Sequence, residues 1–284
     1  MKLITQIAEM HEFVDACRTK KETVGLVPTM GFLHRGHISL MERAIRENDK
    51  TIVTIFVNPL QFAEGEDLSS YPRDLEQDTS QCEATGVDLL FTPSPEEMYS
   101  QPILTAVHID SMTSNMEGAS RPTHFSGVAT VVAKLFNIAG PCSAYFGEKD
   151  WQQLQIITKM AHDLSFRVNV YGCPTVRHSD GLALSSRNAY LTPEERTSAT
   201  VLSRSLQKAS ETVQAGETTA SAIRAQIDDQ IATEPLVELD YVEIVEGNTL
   251  NSIDQISQGS RILVAAKIGK ARLIDNVDPY CGIT

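Results

Sequence analysis

Two histidines and two glycines lie close together near the start of the chain, in the segment 27–37, Val-Pro-Thr-Met-Gly-Phe-Leu-His-Arg-Gly-His. An apolar run before it, 23–27, predicts a strand that ends at Pro28, because proline cannot donate to a strand ladder. Apolar residues recur with helical spacing after Gly36 and predict a helix there. A helix N-terminus presents unpaired N–H groups, so this junction is predicted to bind an anion, above all phosphate.

His34 and His37 allow two further interpretations. Either ring could serve only as a turn or cap residue. A zinc site is disfavoured, because zinc hydrolases carry His-Glu-x-x-His within a helix and add a third ligand, whereas Arg35 and Gly36 fill the gap here. The segment also lacks the Walker A and Gly-x-Gly-x-x-Gly patterns, so it is not one of the common phosphate loops.

The segment resembles the His-x-Gly-His signature of the nucleotidylyltransferase superfamily. Its longer form, Pro-Thr-Met-Gly-x-Leu-His-x-Gly-His, is similar to the pantothenate synthetase (pantoate–β-alanine ligase) family. Three later segments match motifs of the same family: 56–62, 145–153 and 174–188. The family pattern is broken at Ser126, where arginine is usual, and at Leu184, where methionine is usual. The resemblance covers roughly residues 23–196.

This resemblance implies an ATP-dependent ligase that condenses (R)-pantoate with β-alanine through a pantoyl adenylate, releasing AMP and pyrophosphate. Catalysis is assigned to His37, as proton donor or charge stabiliser, with His34 and Lys149. The implied ATP-binding residues are Met30, Gly31, His34, Gly36, His37, Gly147, Lys149, Asp150, Val176, Leu184, Ser185, Ser186 and Arg187. The implied pantoate or β-alanine contacts are Met30, Asn58, Gln61, Phe62 and Gln153. Mg²⁺ is expected to arrive with ATP, and its protein ligands stay unknown.

The bulk composition limits the class of partner. The 284 residues carry a formal net charge of −13, which disfavours a nucleic-acid or anionic membrane surface. Basic residues nevertheless recur in the loops, which favours a small anionic ligand. They are Arg35, Arg121, Lys149, Arg177 and Arg187. Five scattered cysteines, an early polar break in the N-terminal apolar run and the lack of a long apolar stretch predict a cytoplasmic protein that does not span a membrane. A homodimer is expected by family analogy.

Strand-like and helical segments alternate through the first 176 residues and predict an α/β domain with a Rossmann-like parallel sheet. A smaller α+β C-terminal domain, 177–284, is predicted from two helices and three strand-like runs, and the resemblance makes it a lid over the active site. The alternation includes a strand at 105–109 and a helix that opens at Tyr71-Pro72. The smaller domain is predicted to begin with one long helix from Thr192 to Ala215.

Two alternative functions stay open. A cytidylyltransferase of the same superfamily would share the first motif, although the segments around Gln61 and Gln153 and the long loop to Arg187 disfavour it. A non-catalytic nucleotide sensor would bind ATP without turnover.

Overall fold

The computed structural model describes residues 1–99 and 102–283. The chain divides into two compact units. Unit 1 comprises Met1–Glu148 and Ile156–Cys173, and unit 2 comprises Lys149–Gln155 and the chain from Pro174 onward.

Unit 1 contains a six-stranded sheet in which every strand pair is parallel. Its strands are β1 (Lys2–Ile4), β2 (Val24–Thr29), β3 (Lys50–Ile55), β4 (Leu89–Phe91), β5 (Cys142–Gly147) and β6 (Val168–Cys173). The order is β1-β4-β3-β2-β5-β6. The first four residues of β2 and the middle four of β3 are buried without alternation, as expected for central strands covered on both faces.

Helices complete unit 1. They are α1 (Ile7–Lys20), α2 (Arg35–Glu47), α3 (Leu75–Thr85), α4 (Pro95–Met98), α5 (Glu117–Ser120), α6 (His124–Ala139) and most of α7 (Trp151–Asp163). Short 3₁₀ turns occur at Pro59–Gln61 and Glu148–Asp150. α2 directly follows β2, so the strand–loop–helix junction predicted around the two histidines is present.

Unit 2 packs helices against a three-stranded antiparallel sheet of order β7-β8-β9. Its strands are β7 (Val237–Glu246), β8 (Ser260–Ile268) and β9 (Ala271–Val277), and its helices are α8 (Pro193–Ser198), α9 (Val201–Gln214) and α10 (Ala220–Ile231), with a 3₁₀ turn at Ser186–Tyr190. The two sheets confirm the predicted fold class, a Rossmann-like parallel sheet followed by a smaller α+β part.

The long helix predicted from Thr192 to Ala215 is wrong, because the structure breaks it into α8 and α9. Hydroxyl groups bond to main-chain carbonyls around the break: Thr200 Oγ1 donates to Thr197 O at 2.7 Å and Ser203 Oγ to Thr200 O at 3.0 Å. Such bonds compete with the helical ladder and favour a turn.

Two other local predictions need correction. Residues 105–109 form no strand, and Val107 N donates instead to the Thr130 hydroxyl at 3.0 Å, so a helix side chain takes the place of a strand partner. The helix expected to open at Tyr71 begins at Leu75, where Asp74 caps it by accepting from Gln77 N at 3.0 Å. Among the described residues, no helix is long and apolar enough to cross a membrane.

Candidate active site

The two histidines of the first motif are locked against each other at the start of α2. His34 is the N-cap residue, and its Nδ1 accepts from Gly36 N at 3.2 Å. His37 Nδ1 accepts from His34 N at 3.3 Å, and the ring centroids are 4.1 Å apart. Because both Nδ1 atoms act as acceptors, each neutral ring carries its proton on Nε2. The pair therefore supplies two N–H donors of fixed tautomer beside a helix N-terminus.

A buried carboxylate shapes the loop before these histidines. Asp78, on α3, accepts from Phe32 N at 2.8 Å and from Leu33 N at 2.7 Å. Gly31 has φ +85°, and a Cβ there would lie 2.9 Å from Asp78 Oδ2, so the loop needs glycine at this position. Burial raises the pKa of the Asp78 carboxyl, while the two N–H bonds act in the opposite direction.

The segment after β3 comes together with the histidine loop. Gln61 Nε2 contacts Met30 Sδ at 3.1 Å, and Gln61 Oε1 accepts from Asn58 Nδ2 at 3.2 Å. Asn58 is almost wholly buried and also accepts, through Oδ1, from the Tyr99 hydroxyl at 2.8 Å. These contacts fix the Gln61 amide so that its N–H donors face the Met30 side. Burial raises the pKa of the Tyr99 phenol, which keeps it protonated as a donor.

His124 holds the main chain of the same segment. Its Nδ1 lies 3.0 Å from Gln61 O, and its Nε2 lies 3.3 Å from Arg121 Nη1. Arg121 in turn pairs with Glu66, Nη2 to Oε2 at 2.7 Å. Since the carbonyl needs a donor and the guanidinium needs an acceptor, His124 is neutral with its proton on Nδ1. Burial, helped by the Arg121 charge, lowers the pKa of His124 to about 4.

The predicted residues of unit 2 lie on the segments 149–155 and 174–188. Leu184 N donates to Val176 O at 3.0 Å, and Arg187 N donates to Ser185 Oγ at 3.3 Å. A small cavity is lined by Lys149 and Ser185 among others. Lys149 and Ser185, two of the residues predicted to bind phosphate, therefore lie near each other in unit 2.

The predicted site residues are divided between the two units. Unit 1 holds Met30, Gly31, His34, Gly36, His37, Asn58, Gln61, Phe62 and Gly147. Unit 2 holds Lys149, Asp150, Gln153, Val176, Leu184, Ser185, Ser186 and Arg187. No group of three His, Cys, Asp or Glu side chains within residues 1–99 and 102–283 could hold a metal ion.

Comparison with known proteins decides the family. A family model described as pantoate-beta-alanine ligase matches residues 2–278. The chain belongs to the pantoate–β-alanine ligase family. A pantothenate synthetase of Clostridium botulinum is 47% identical over 276 residues, covering 97% of this chain and 98% of that protein. One of Acetivibrio thermocellus is 48% identical over 277 residues, covering 98% and 99%.

Solved structures of the family have the same fold. Pantothenate synthetase from Thermus thermophilus matches with a TM-score of 0.94 and 47% identity, over 99% of this chain and all of that one. The pantoate-beta-alanine ligase of Francisella tularensis matches with a TM-score of 0.81 and 35% identity over 100% of both chains. The Francisella protein was crystallised with beta-gamma ATP and beta-alanine.

The sequence did not point to Tyr99 or His124 as supports of Gln61, nor to Asp78 as a support of the loop. Each acts across a long sequence separation, and no local pattern links it to its partner. His124 stands in a segment that matches the family only in part, since Ser126 replaces an arginine, and nothing in that segment links it to Gln61.

The neutral state of His124 predicts acid-sensitive folding. A histidine whose pKa falls from 6.5 in the unfolded chain to about 4 in the folded chain contributes stability that is complete above pH 6.5. That contribution is lost as the pH falls from 6.5 towards 4, because the unfolded chain then binds the proton more readily. Between pH 7 and 4.5 we expect the loss of this contribution to lower the free energy of unfolding by about 2 kcal/mol.

Urea unfolding of the wild type and His124→Gln at both pH values measures this term. The variant should lose about 2 kcal/mol less on acidification, whatever its absolute stability. His162→Gln, at a position whose ring is largely exposed, is the matched control and should behave as the wild type. Equal acid sensitivity of wild type and His124→Gln would contradict the assignment.

Proposed function

We propose that this protein is an ATP-dependent ligase that joins pantoate to β-alanine and releases AMP and pyrophosphate. Family membership across nearly the whole chain supports the reaction. The structural observation that carries it is the His34–His37 pair, whose Nδ1 atoms are both occupied by main-chain N–H groups. Two fixed Nε2–H donors beside a helix N-terminus suit the oxygens of a triphosphate.

The first step forms the adenylate. A pantoate carboxylate oxygen attacks the α-phosphorus of ATP, the bond from that phosphorus to the bridging oxygen breaks, and pyrophosphate leaves. Negative charge grows on the leaving group, so fixed donors matter more than a nucleophilic side chain. His37 takes this role as a charge stabiliser, because its Nε2–H is its only N–H when Nδ1 accepts from His34 N. His34 and the loop amides support it.

The second step forms the amide. The β-alanine nitrogen attacks the acyl carbon of pantoyl adenylate, the bond to the AMP oxygen breaks, and the nitrogen loses a proton. Positioning of the amine accounts for most of the rate acceleration in this step, because the acyl adenylate is already activated. Gln61 would donate to pantoate oxygens from the face that its contact with Asn58 fixes, with Met30 and Phe62 against the methyl groups. Gln153 would also bind pantoate.

Lys149, Ser185, Ser186 and Arg187 would bind the phosphates of ATP. Lysine supplies a compact charge, and the hydroxyls and guanidinium supply directed donors. Gly147, Asp150, Val176 and Leu184 would complete the ATP contacts. Mg²⁺ would enter as part of the substrate, held chiefly by phosphate oxygens and water. The lid role of residues 177–284, the homodimer and the cytoplasmic location stay predictions.

Pyrophosphate exchange tests the proposed reaction. The first step is reversible and needs no amine, so labelled pyrophosphate should enter ATP when enzyme, Mg²⁺ and pantoate are present. Exchange should stop when pantoate or Mg²⁺ is omitted, and added β-alanine should divert the adenylate to AMP and pantothenate. A cytidylyltransferase would label CTP, and a sensor would label nothing. Absence of pantoate-dependent exchange in a folded sample that binds ATP would refute the proposal.

A further inference from the structure

The main chain of Lys149 is held by a residue far along the sequence. Asn276, on β9, donates from Nδ2 to Lys149 O at 2.8 Å across 127 residues. The same carboxamide accepts through Oδ1 from Arg261 Nε at 2.7 Å. Because each end of the amide has a partner of the right polarity, its orientation is fixed. Asn276 and Arg261 are both buried, so solvent does not compete for these bonds.

A second anchor lies two residues after Lys149. The Trp151 Nε1–H donates to Gly247 O at 2.9 Å. The Arg261 guanidinium lies over the Trp151 ring, 3.8 Å from its centroid, which is a close cation–π contact. Arg261 therefore contacts both Asn276 and Trp151. The start of the segment 149–155 is thus fixed to β8 and β9 at two points.

The neighbouring residue on β9 holds a different segment. Asp275 accepts from Arg177 through both carboxylate oxygens, at 2.6 Å from Nη1 and 2.9 Å from Nη2. The side chains are 8% and 2% exposed for Arg177 and Asp275, so the pair is buried. Arg177 Nη1 also donates to Gly181 O at 3.1 Å. A buried bidentate pair adds little net stability but fixes geometry strictly.

The side chains of successive strand residues point to opposite faces of a sheet. Asp275 and Asn276, which are adjacent on β9, therefore contact different partners. Through Arg177, Asp275 fixes the loop that carries Ser185 and Arg187. Within that loop Asn188 Nδ2 donates to Ala183 O at 3.0 Å. One small cavity is lined by Lys149 from the first segment, by Ser185 and Asn188 from the second, and by Asp275 of β9. The two segments that would bind phosphate therefore share one support.

We propose that Asp275 and Asn276 are positioning residues for ATP, which together set Lys149 relative to the segment Ser185–Arg187. The inference rests on the proposed function, in which these groups contact the phosphates. It adds that their relative placement is built into β9 before ATP binds. Donors held in place in advance lose little on binding, whereas mobile donors must first be ordered. Loss of the support from Asp275 or Asn276 should therefore weaken the binding of ATP but not that of the other substrates.

Asn276→Leu is the primary variant, because leucine is close to asparagine in size and removes both hydrogen bonds. We expect the KM for ATP to rise roughly tenfold, as for a donor misplaced by a fraction of an ångström. The KM values for pantoate and β-alanine should stay within about twofold. Arg177→Lys, which keeps the charge but cannot bind Asp275 bidentately, should give the same ATP-selective pattern. Circular dichroism and the unfolding midpoint establish that each variant is folded.

Asp240→Asn is the matched control. Asp240 accepts from Arg272 Nη2 at 2.6 Å, so this variant removes an ion pair between β7 and β9 without touching Lys149 or Arg177. All KM values of this control should stay within about twofold of the wild type. A lower kcat with unchanged KM values in Asn276→Leu would mean a merely structural role and would overturn the proposal. Unchanged kinetics in that variant would overturn it as well.

A double-mutant cycle tests the route of the effect. If Asn276 acts through Lys149, adding Asn276→Leu to Lys149→Ala should change the KM for ATP by less than about twofold. Effects that multiply would show that Asn276 acts elsewhere. ATP affinity by calorimetry is measured in parallel and needs no turnover. An inactive wild type would refute the proposed function alone, whereas unchanged ATP affinity in the variants of an active enzyme would refute the positioning role.

Discussion

Replacing His37 with alanine should slow pantoate-dependent pyrophosphate exchange by roughly 30- to 1,000-fold, a loss of about 2–4 kcal/mol of barrier stabilisation. The reason is local. His37 Nδ1 accepts from His34 N, so the ring offers its single Nε2–H to the charge that grows as pyrophosphate leaves. A donor that strengthens only in the transition state affects kcat more than binding. ATP affinity should therefore change little.

Two controls separate the Nε2–H from other effects of this substitution. In His37→Asn the Oδ1 atom can still accept from His34 N, while no donor reaches the position of Nε2, so this variant should be nearly as slow as alanine. His162→Ala, at a largely exposed histidine, should exchange at the wild-type rate. Near-normal turnover in His37→Ala would remove His37 from the mechanism.

Local signals were sufficient where a few neighbouring residues determine the geometry. Pro28 and the glycines at 31 and 36 predicted a strand, a loop and a helix start, and the structure has β2, the loop and α2 in that order. The predicted end of the strand at Pro28 was wrong, because β2 continues through Pro28 and Thr29, which pair with Thr54 and Ile55. The apolar runs predicted a parallel sheet, since strands buried on both faces lack alternation. Long-range order within the sheet, including the pairing of β1 with β4, had no such local signal.

Charge composition was a weaker guide. Basic residues in the loops favoured an anionic ligand, yet most of them already pair with a carboxylate within the chain. The pairs are Arg35–Glu42, Arg121–Glu66, Lys149–Asp150 and Arg177–Asp275. A sequence shows that a cation is present but not which carboxylate lies beside it, because that depends on tertiary packing. The buried Arg177 thus supports the site instead of binding at its surface.

The supports of the site were the part least accessible from sequence. Asn58 and Gln61 were expected from their motif, but the bonds of Asn58 to Tyr99 and Gly127 join residues separated by 41 and 69 positions. Lys149 was expected from its motif, and its bond from Asn276 was not. Such contacts form only after the strands and helices are assembled, so the periodicity and spacing of residues in the sequence do not predict them.

Gly127, which supports Asn58, is the position of the second substitution with a large expected effect. Gly127 lies in α6 with its backbone against the 3₁₀ turn Pro59–Gln61, and a Cβ at this position would overlap Leu60 O and Leu60 C. Gly127 O also accepts from Asn58 Nδ2 at 3.1 Å. In an open helix, Gly→Ala would stabilise by about 1 kcal/mol. At position 127 the added methyl group would overpack against Leu60, so Gly127→Ala should instead lower the free energy of unfolding by about 1–3 kcal/mol.

The catalytic consequence should be larger than the loss of stability. To admit the methyl group, the turn must move by about 1 Å and carry Gln61 with it, and a shift of that size at a positioning residue costs roughly 100-fold in rate. Gly127→Ala should therefore lower kcat/KM for pantoate by about that factor. ATP affinity, measured by calorimetry, should stay within about twofold, because the overlap does not involve the histidine loop. Ser126→Ala, one residue earlier in α6, adds no atoms and should match the wild type. A Gly127→Ala enzyme with normal pantoate kinetics would mean that Gln61 does not need this backbone contact.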